Sequence, residues 1–340
     1  MFAAPEIDFS ALTVLVIDDH PGMRTSLRIT LSNFGVTRTD LSQGAFDAVH
    51  RIKQRAYDVI VCDYNLGEGR DGQQLLEELR HGKLIPLATV FLMVTAERTY
   101  EKVMSAVELA PDDYLIKPFT ADALQMRLGQ VLKKKAAFAP VYRLLEADLL
   151  AEAVEACDRV AGRAPAYSID AWRLKAELLL SLGRVDEARQ IYEQILALRA
   201  VPWARLGLAK SLFMQEQQAE SEAMLLDLVD DAPDYMLAQD FLARVQEARD
   251  DAAGALATLT RAVERSPNVL GRQRTLGDVA WSLGEVETAE RAFATVVSKG
   301  VHSILRTHED HARLARLQVE QGKLQEAGAT LRELRQHFPN

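Results

Sequence analysis

Four apolar runs in the first part of this 340-residue chain stop on residues with polar chemistry. TVLVID (13–18) delivers Asp18 and then Asp19, YDVIVCD (57–63) delivers Asp63, ATVFLMVT (88–95) delivers Thr95, and DYLIK (113–117) delivers Lys117. If these ends share one crevice, three carboxylates repel one another, and a hard divalent cation relieves the repulsion. Carboxylates, a main-chain carbonyl and water suit Mg2+, which prefers an octahedral oxygen shell. Beside a cation and Lys117, Asp63 stays ionised, and an ionised carboxylate can attack phosphorus to form an acyl phosphate. The cation, Lys117 and the Thr95 hydroxyl would then share the charge on the transferred phosphoryl oxygens. Taken alone, Asp63 reads as a turn former or helix cap, as an acid after a strand usually does.

A parallel sheet is what would bring the four ends together. The runs at 13–18, 36–41, 57–63, 88–95 and 113–117 alternate with helical patterns over 23–34, 44–54, 73–80, 97–109 and 120–135. Alternating strands and helices predict an α/β fold with a doubly wound parallel sheet. Near-continuous apolar strands fit a sheet covered on both faces, and the weaker run at 36–41 predicts an edge. In such sheets ligands bind at the carboxyl ends of the strands.

Beyond residue 135 the strand signal ends, and the chain reads as helices punctuated by Pro and Gly. SLGRVDEARQIYEQIL (181–196), SLGEVETAERAFATVV (282–297) and EQGKLQEAGATLRELR (320–335) repeat one pattern. Gly183, Ala188 and Tyr192 recur as Gly284, Ala289 and Phe293, and as Gly322, Ala327 and Leu331. Two weaker copies place the alanine at Ala219 and Ala255, and a degenerate one opens with Ala153, Cys157 and Pro165. A Gly for the turn, a small Ala for close approach and a larger residue one turn on describe a helical hairpin. One hairpin cannot bury its apolar face alone, so copies stack.

The 40 Lys and Arg against 49 Asp and Glu give a formal net charge of −9. That balance argues against a nucleic-acid surface, which needs clustered cations. The one tight basic run, Lys133–Lys135, reads as cations offsetting a helix C-terminus. Cys62 and Cys157 have no metal or disulfide spacing and read as core residues. MFAAPEIDFS lacks the apolar region of a signal peptide, and no run approaches the ~20 apolar residues of a membrane span. The expectation is a cytoplasmic protein without membrane insertion. His302, His308 and His311 have no matching Cys or Asp set and read as solvated.

The phrases VLVIDDHPGMR (14–24), VIVCDYNL (59–66), FLMVTA (91–96) and DDYLIKPF (112–119) resemble those of the receiver domain of two-component response regulators. The resemblance implies strand order 2-1-3-4-5, Asp63 as phosphoacceptor, and Mg2+ held by Asp18, Asp19, Asp63 and the Asn65 carbonyl. It makes Thr95 the switch hydroxyl, Lys117 the partner of the phosphoryl group, Tyr114 the switch aromatic and the Lys117–Pro118 bond cis. The loop after Asp63 departs from the family, with Gly67 where a Pro usually stands and Gly72 one residue late. The helical part resembles the tetratricopeptide repeat family, through Trp172 and Ala176, Trp203 and Gly207, and Leu276-Gly277. The division implied is an extension 1–11, a receiver 12–135, a connecting or degenerate hairpin 136–165, and about five repeats over 166–340.

The two resemblances together imply a response regulator and not an enzyme, beyond its own phosphorylation and dephosphorylation. A sensor histidine kinase or phosphotransfer protein would phosphorylate Asp63, and the repeats would gain or lose a protein partner. A repeat scaffold with a vestigial receiver is the alternative. A phosphotransferase or phosphatase would need a second acid two residues after the nucleophile, where Asn65 stands. A nucleotide-binding domain would need a Gly-rich cradle, and DDHPGM after the first strand lacks one.

Overall fold

The computed structural model describes residues 7–67, 69–96 and 111–338. The helix expected over 97–109 lies outside them. Residues 1–200 and 201–340 form two compact units.

In the first unit, strands β1 (Thr13–Ile17), β2 (Arg38–Ser42), β3 (Val59–Asp63), β4 (Val90–Thr95) and β5 (Asp113–Ile116) form one parallel sheet in the order 2-1-3-4-5. β1, β3 and β4 are buried along their whole length, whereas β2 is the half-exposed edge. Period-two alternation divides their side chains between two cores. Leu15, Ile17, Ile60, Cys62, Phe91 and Met93 pack on helices α2 (Ala45–Gln54) and α3 (Gly72–His81). Val14, Val16, Val59, Val61, Leu92 and Val94 pack on α1 (Pro21–Asn33) and on Leu124, Leu128 and Val131 of helix α4 (Ala121–Glu146). Tight cover on both faces lets polar groups emerge only at the strand ends.

α4 corrects two sequence readings. It runs unbroken from Ala121 to Glu146, straight past 135 and through Pro140. An internal proline removes one backbone hydrogen bond and costs about 3 kcal/mol. Phe138 and Val141, fully buried on either side of it, supply the offsetting contacts. The basic run therefore sits inside the helix and does not cap its end. Lys134 pairs at the surface with Asp170 at 2.6 Å, while Lys135 is buried. The Lys135 ammonium donates to the Leu87 carbonyl at 2.6 Å, meets Asp112 at 2.8 Å and lies 5.1 Å from the Tyr142 ring centre. Burial lowers its pKa, with Asp112 opposing. Asp112 accepts the Phe91 N–H and faces Arg80, whose guanidinium donates to the Pro86 and Thr89 carbonyls. Glu146 accepts the Leu87 N–H at 2.6 Å. The second half of α4 is thus fastened to the end of the sheet opposite the carboxyl ends of its strands.

α5 (Leu150–Arg163), α6 (Ser168–Ser181) and α7 (Val185–Leu198) complete this unit, each packed on the helix before it. In the second unit the same succession runs through α8 (Pro202–Met214), α9 (Gln218–Asp231), α10 (Met236–Ala248), α11 (Ala252–Arg265), α12 (Leu270–Ser282), α13 (Val286–Lys299), α14 (His308–Glu320) and α15 (Leu324–His337).

Burial corrects the repeat register. The small buried residue of the second helix is Ala153, Ala188, Ser221, Ala255, Ala289 and Ala327 in turn. Ala219 is exposed. Ser221 takes its place, its hydroxyl donating to the Ala209 carbonyl at 2.8 Å. Ala209, and not Gly207, therefore corresponds to Ala176 and Gly277, each twelve residues before its marker. A small hydroxyl residue satisfies the same steric need as alanine, so the true marker lies two residues beyond Ala219. The longer step to Ala327 accommodates the 3-10 turn Gly300–His302 and the loop after it.

Five residues before each marker the chain turns with positive φ, at Asp148, Gly183, Glu216, Asp250, Gly284 and Gly322. The copies lacking glycine there are the two that looked weak in the sequence, at Glu216 and Asp250, and the degenerate opening one. The degenerate opening copy has the same turn, at Asp148. His311, expected in solvent, is buried against His337 and Phe338, and burial lowers its pKa.

Two outcomes follow. Lys135→Met should lower stability by on the order of 2 kcal/mol in urea unfolding, less than the ~3–5 of a wholly orphaned charge because Arg80 remains beside Asp112. Lys134→Met, at the surface, should change it by less than about 0.5 kcal/mol; equal effects would contradict the buried role. Glu216→Gly should raise the unfolding midpoint, since glycine relieves about 1 kcal/mol of left-handed strain; a lower midpoint would contradict the turn geometry.

Candidate functional site

The carboxyl ends of β1, β3, β4 and β5 bring Asp18, Asp63, Thr95 and Lys117 together. Asp18 is buried; its Oδ1 accepts the His20 N–H at 2.8 Å and its Oδ2 accepts from the Lys117 ammonium at 3.2 Å. Asp63, 9% exposed, accepts the Tyr64 N–H on Oδ1 at 2.9 Å, and its Oδ2 lies 3.1 Å from the same ammonium. Lys117 thus lies between two buried carboxylates, which is the geometry that keeps like charges at close range tolerable. Burial pushes the Asp63 carboxyl above the ordinary Asp range, and Lys117 pulls it part of the way back. Thr95 is buried, and its carbonyl accepts the Lys117 N–H at 2.7 Å. The Lys117–Pro118 bond is cis. Tyr114 is half-buried, packed on the core that holds Cys62 and Met93.

Asp19 is half-exposed, and its Oδ1 meets the His20 imidazole at 2.7 Å, which raises the His20 pKa. Ligand atoms of Asp18, Asp19 and His20 lie within 4.8 Å of one another. Two carboxylates at that range fit a hard cation that binds through oxygen; Asn65 is exposed on the loop two residues after Asp63.

Three supporting features escaped the sequence reading. Arg24, in the first turn of α1, donates to the Asp18 and Asp19 carbonyls at 2.6 and 3.0 Å and fixes that acidic turn. It stood at the end of a quoted phrase, but an arginine one turn into a helix gives no signal of its own. Asp71 caps α3 by accepting the Gln74 N–H, and the Tyr64 hydroxyl donates to it. Gly72 has a steric reason. A β-carbon there would stand 2.4 Å from the Asp63 carbonyl oxygen, so only glycine allows α3 to start against the acceptor strand. Gly67, at φ +76°, carries the loop past Asp19 where a proline was expected.

Lys117→Met should raise the Asp63 pKa by about a unit or more, followed by carboxyl-carbon NMR through a pH titration. An unchanged or lower value would show that the ammonium does not govern the acceptor.

Residues 14–129 match the response regulator receiver domain, and residues 144–201 and 274–340 match tetratricopeptide repeats. Among curated relatives, chemotaxis protein CheY-3 of Vibrio cholerae is 28% identical over 123 residues, 36% of this chain and 93% of that protein. Chemotaxis protein CheY of Pseudomonas aeruginosa is likewise 28% identical, over 98% of its length. Among solved structures, the receiver domain of Francisella response regulator 1452 matches with a TM-score of 0.33 at 28% identity, covering 36% of this chain and 98% of that one. Pseudomonas aeruginosa pilF matches with a TM-score of 0.48 at 16% identity, covering 60% and 91%. No helix among the described residues is long and apolar enough to cross a membrane. The chain is a response regulator receiver domain followed by tetratricopeptide repeats.

Proposed function

We propose that the protein is the receiving end of a phosphorelay, in which a phosphoryl group on Asp63 controls what the helical repeats bind. The observation that carries this reading is the Lys117 ammonium set between the Asp18 and Asp63 carboxylates at 3.2 and 3.1 Å. An acceptor oxygen held that way is paired with a cation, oriented and at the open end of the sheet.

The donor fitting this site is the phosphohistidine of a sensor kinase or phosphotransfer protein. An Asp63 oxygen forms the new O–P bond as the donor's P–N bond breaks, and the donor imidazole takes up one proton and leaves neutral. Lys117 and the Thr95 hydroxyl are placed to hold the transferred oxygens. Asp18, Asp19 and the Asn65 carbonyl are the groups that would hold Mg2+ beside Asp63. When bound, the ion neutralises charge on the phosphoryl oxygens.

Thr95 and Lys117 end β4 and β5, and Phe91 and Asp112 lie at the beginnings of those strands. Contacts formed around a phosphoryl group bias the receiver between two arrangements, and Asp112 carries that bias to Lys135 of α4. The repeats beyond α4 bind a protein partner, as stacked hairpins do.

Asp63→Asn should reduce labelling by radioactive acetyl phosphate with Mg2+ to background, while the folded protein keeps its unfolding free energy within about 1 kcal/mol. Labelling that persists in the variant would remove Asp63 from the role.

A further inference from the structure

Among the described residues, six second helices share one register, and the last of them, α15, departs from it in exposure. Four residues after the marker the other five place Cys157, Tyr192, Leu225, Leu259 and Phe293, each 2% exposed or less. Within the second unit the helix that follows supplies the cover: Leu225 packs with Leu242 and Val245, Leu259 with Leu276 and Val279, and Phe293 with Leu314 and Leu317. In α15 the same position is Leu331, and it is 45% exposed. Three residues before the marker the other five copies are half-buried, whereas Leu324 is 68% exposed. No described residue covers this face of α15 as α10, α12 and α14 cover theirs.

Leu324 and Leu331 are seven residues apart, so they stand on one side of the helix, with Gly328 between them. At the position of that glycine the other copies hold Val154, Arg189, Glu222, Leu256 and Glu290. Among the described residues nothing asks for glycine there: a β-carbon on Gly328 would meet only the tip of the Arg332 side chain, at an ordinary 3.6 Å. Glycine inside a helix is less favourable than alanine, and what it offers is close approach by another backbone. Charge is divided along the same helix. At its start Glu290 takes Lys323 at 2.5 Å, and Glu287 and Glu326 add further negative charge. Its second half carries Arg332, Arg335 and His337 against Glu333.

We infer that α15 is a self-association helix, on which a second copy of this chain lays its own α15 antiparallel across a twofold axis. In such a contact residue i meets j and j meets i. The stripe satisfies that rule when Leu331 of each copy sits over Gly328 of the other and Leu324 lies under the aliphatic stem of the other's Arg335. Charge complementarity selects this occupant and this direction. The antiparallel pair sets the basic end of each helix beside the acidic end of its mate, whereas a parallel pair sets like charges together. The cover that three copies of the second unit take from the next helix of their own chain, the last takes from another chain. The inference concerns the repeats and does not depend on phosphotransfer to Asp63.

Sedimentation equilibrium of the full chain, without a phosphodonor, is the test. The mean mass should rise from the 37.8 kDa of one chain towards twice that value as the concentration goes from about 1 to about 100 µM. Leu324→Glu with Leu331→Glu should hold the protein at the mass of one chain throughout. Gly328→Gln should weaken association by about tenfold or more, because its side chain blocks the close approach. The same change should leave the unfolding midpoint of the dilute protein unchanged or higher, since glutamine favours the helix that glycine disfavours. A merely structural role for Gly328 would instead lower that midpoint and leave association intact. A mass that stays at one chain would overturn the inference and leave the stripe to a helix of another protein. Association that survives either variant would also overturn it, by placing the contact elsewhere on the chain.

Discussion

Everything at the receiving end depends on one ammonium group serving two buried carboxylates. Asp18 and Asp63 end neighbouring strands, and the register that pairs Ile17 with Cys62 leaves their side chains facing one space. Two such acids without a countercharge would drive one to take up a proton. Lys117 prevents that from a third strand end, so the charge balance of the site is also a constraint on how β1, β3 and β5 are arranged. The same constraint explains the short-range devices around it. Arg24 fixes the acidic turn, Tyr64 donates its N–H to Asp63, and Gly72 lets α3 begin in contact with β3.

The opposite ends of β4 and β5 meet a second set of buried charges. Asp112 lies one residue before β5 and Lys117 one residue after it, so a single short strand separates the Asp18, Asp63 and Lys117 crevice from the Arg80, Asp112 and Lys135 cluster. Lys135 belongs to a helix that continues without a break into the first helical pair. A rigid strand and a continuous helix are elements able to carry a two-state change, because neither can absorb it by bending freely.

Much of this was legible in the sequence because the relevant signals are local. Four strands ended on the polar residues that the fold brings to one crevice, and the tight apolar runs could only be buried on both faces. The hairpin glycines were legible where they are glycine, at Gly183, Gly284 and Gly322, and not at Glu216 or Asp250, where other residues bear the same left-handed turn. What stayed hidden was long-range. Lys135 looks like its neighbours Lys133 and Lys134 until Asp112 and Leu87 are brought to it. Proline is a helix-breaking residue, but at Pro140 the packing of Phe138 and Val141 overrides it, and Ser221 fills the place of an alanine. His311 is buried by His337 and Phe338, contacts that no spacing rule foretells.

The claim that binds these parts is that a phosphoryl group at Asp63 is felt in the helices beyond the receiver. Amide hydrogen exchange, with and without beryllofluoride and Mg2+ as a phosphoryl mimic, measures it directly in the full chain. The account predicts altered protection across β5, the 135–146 half of α4 and α5 in the wild type, and none in Asp63→Asn. A response confined to the carboxyl ends of the strands, with residues 135–163 unchanged, would contradict it.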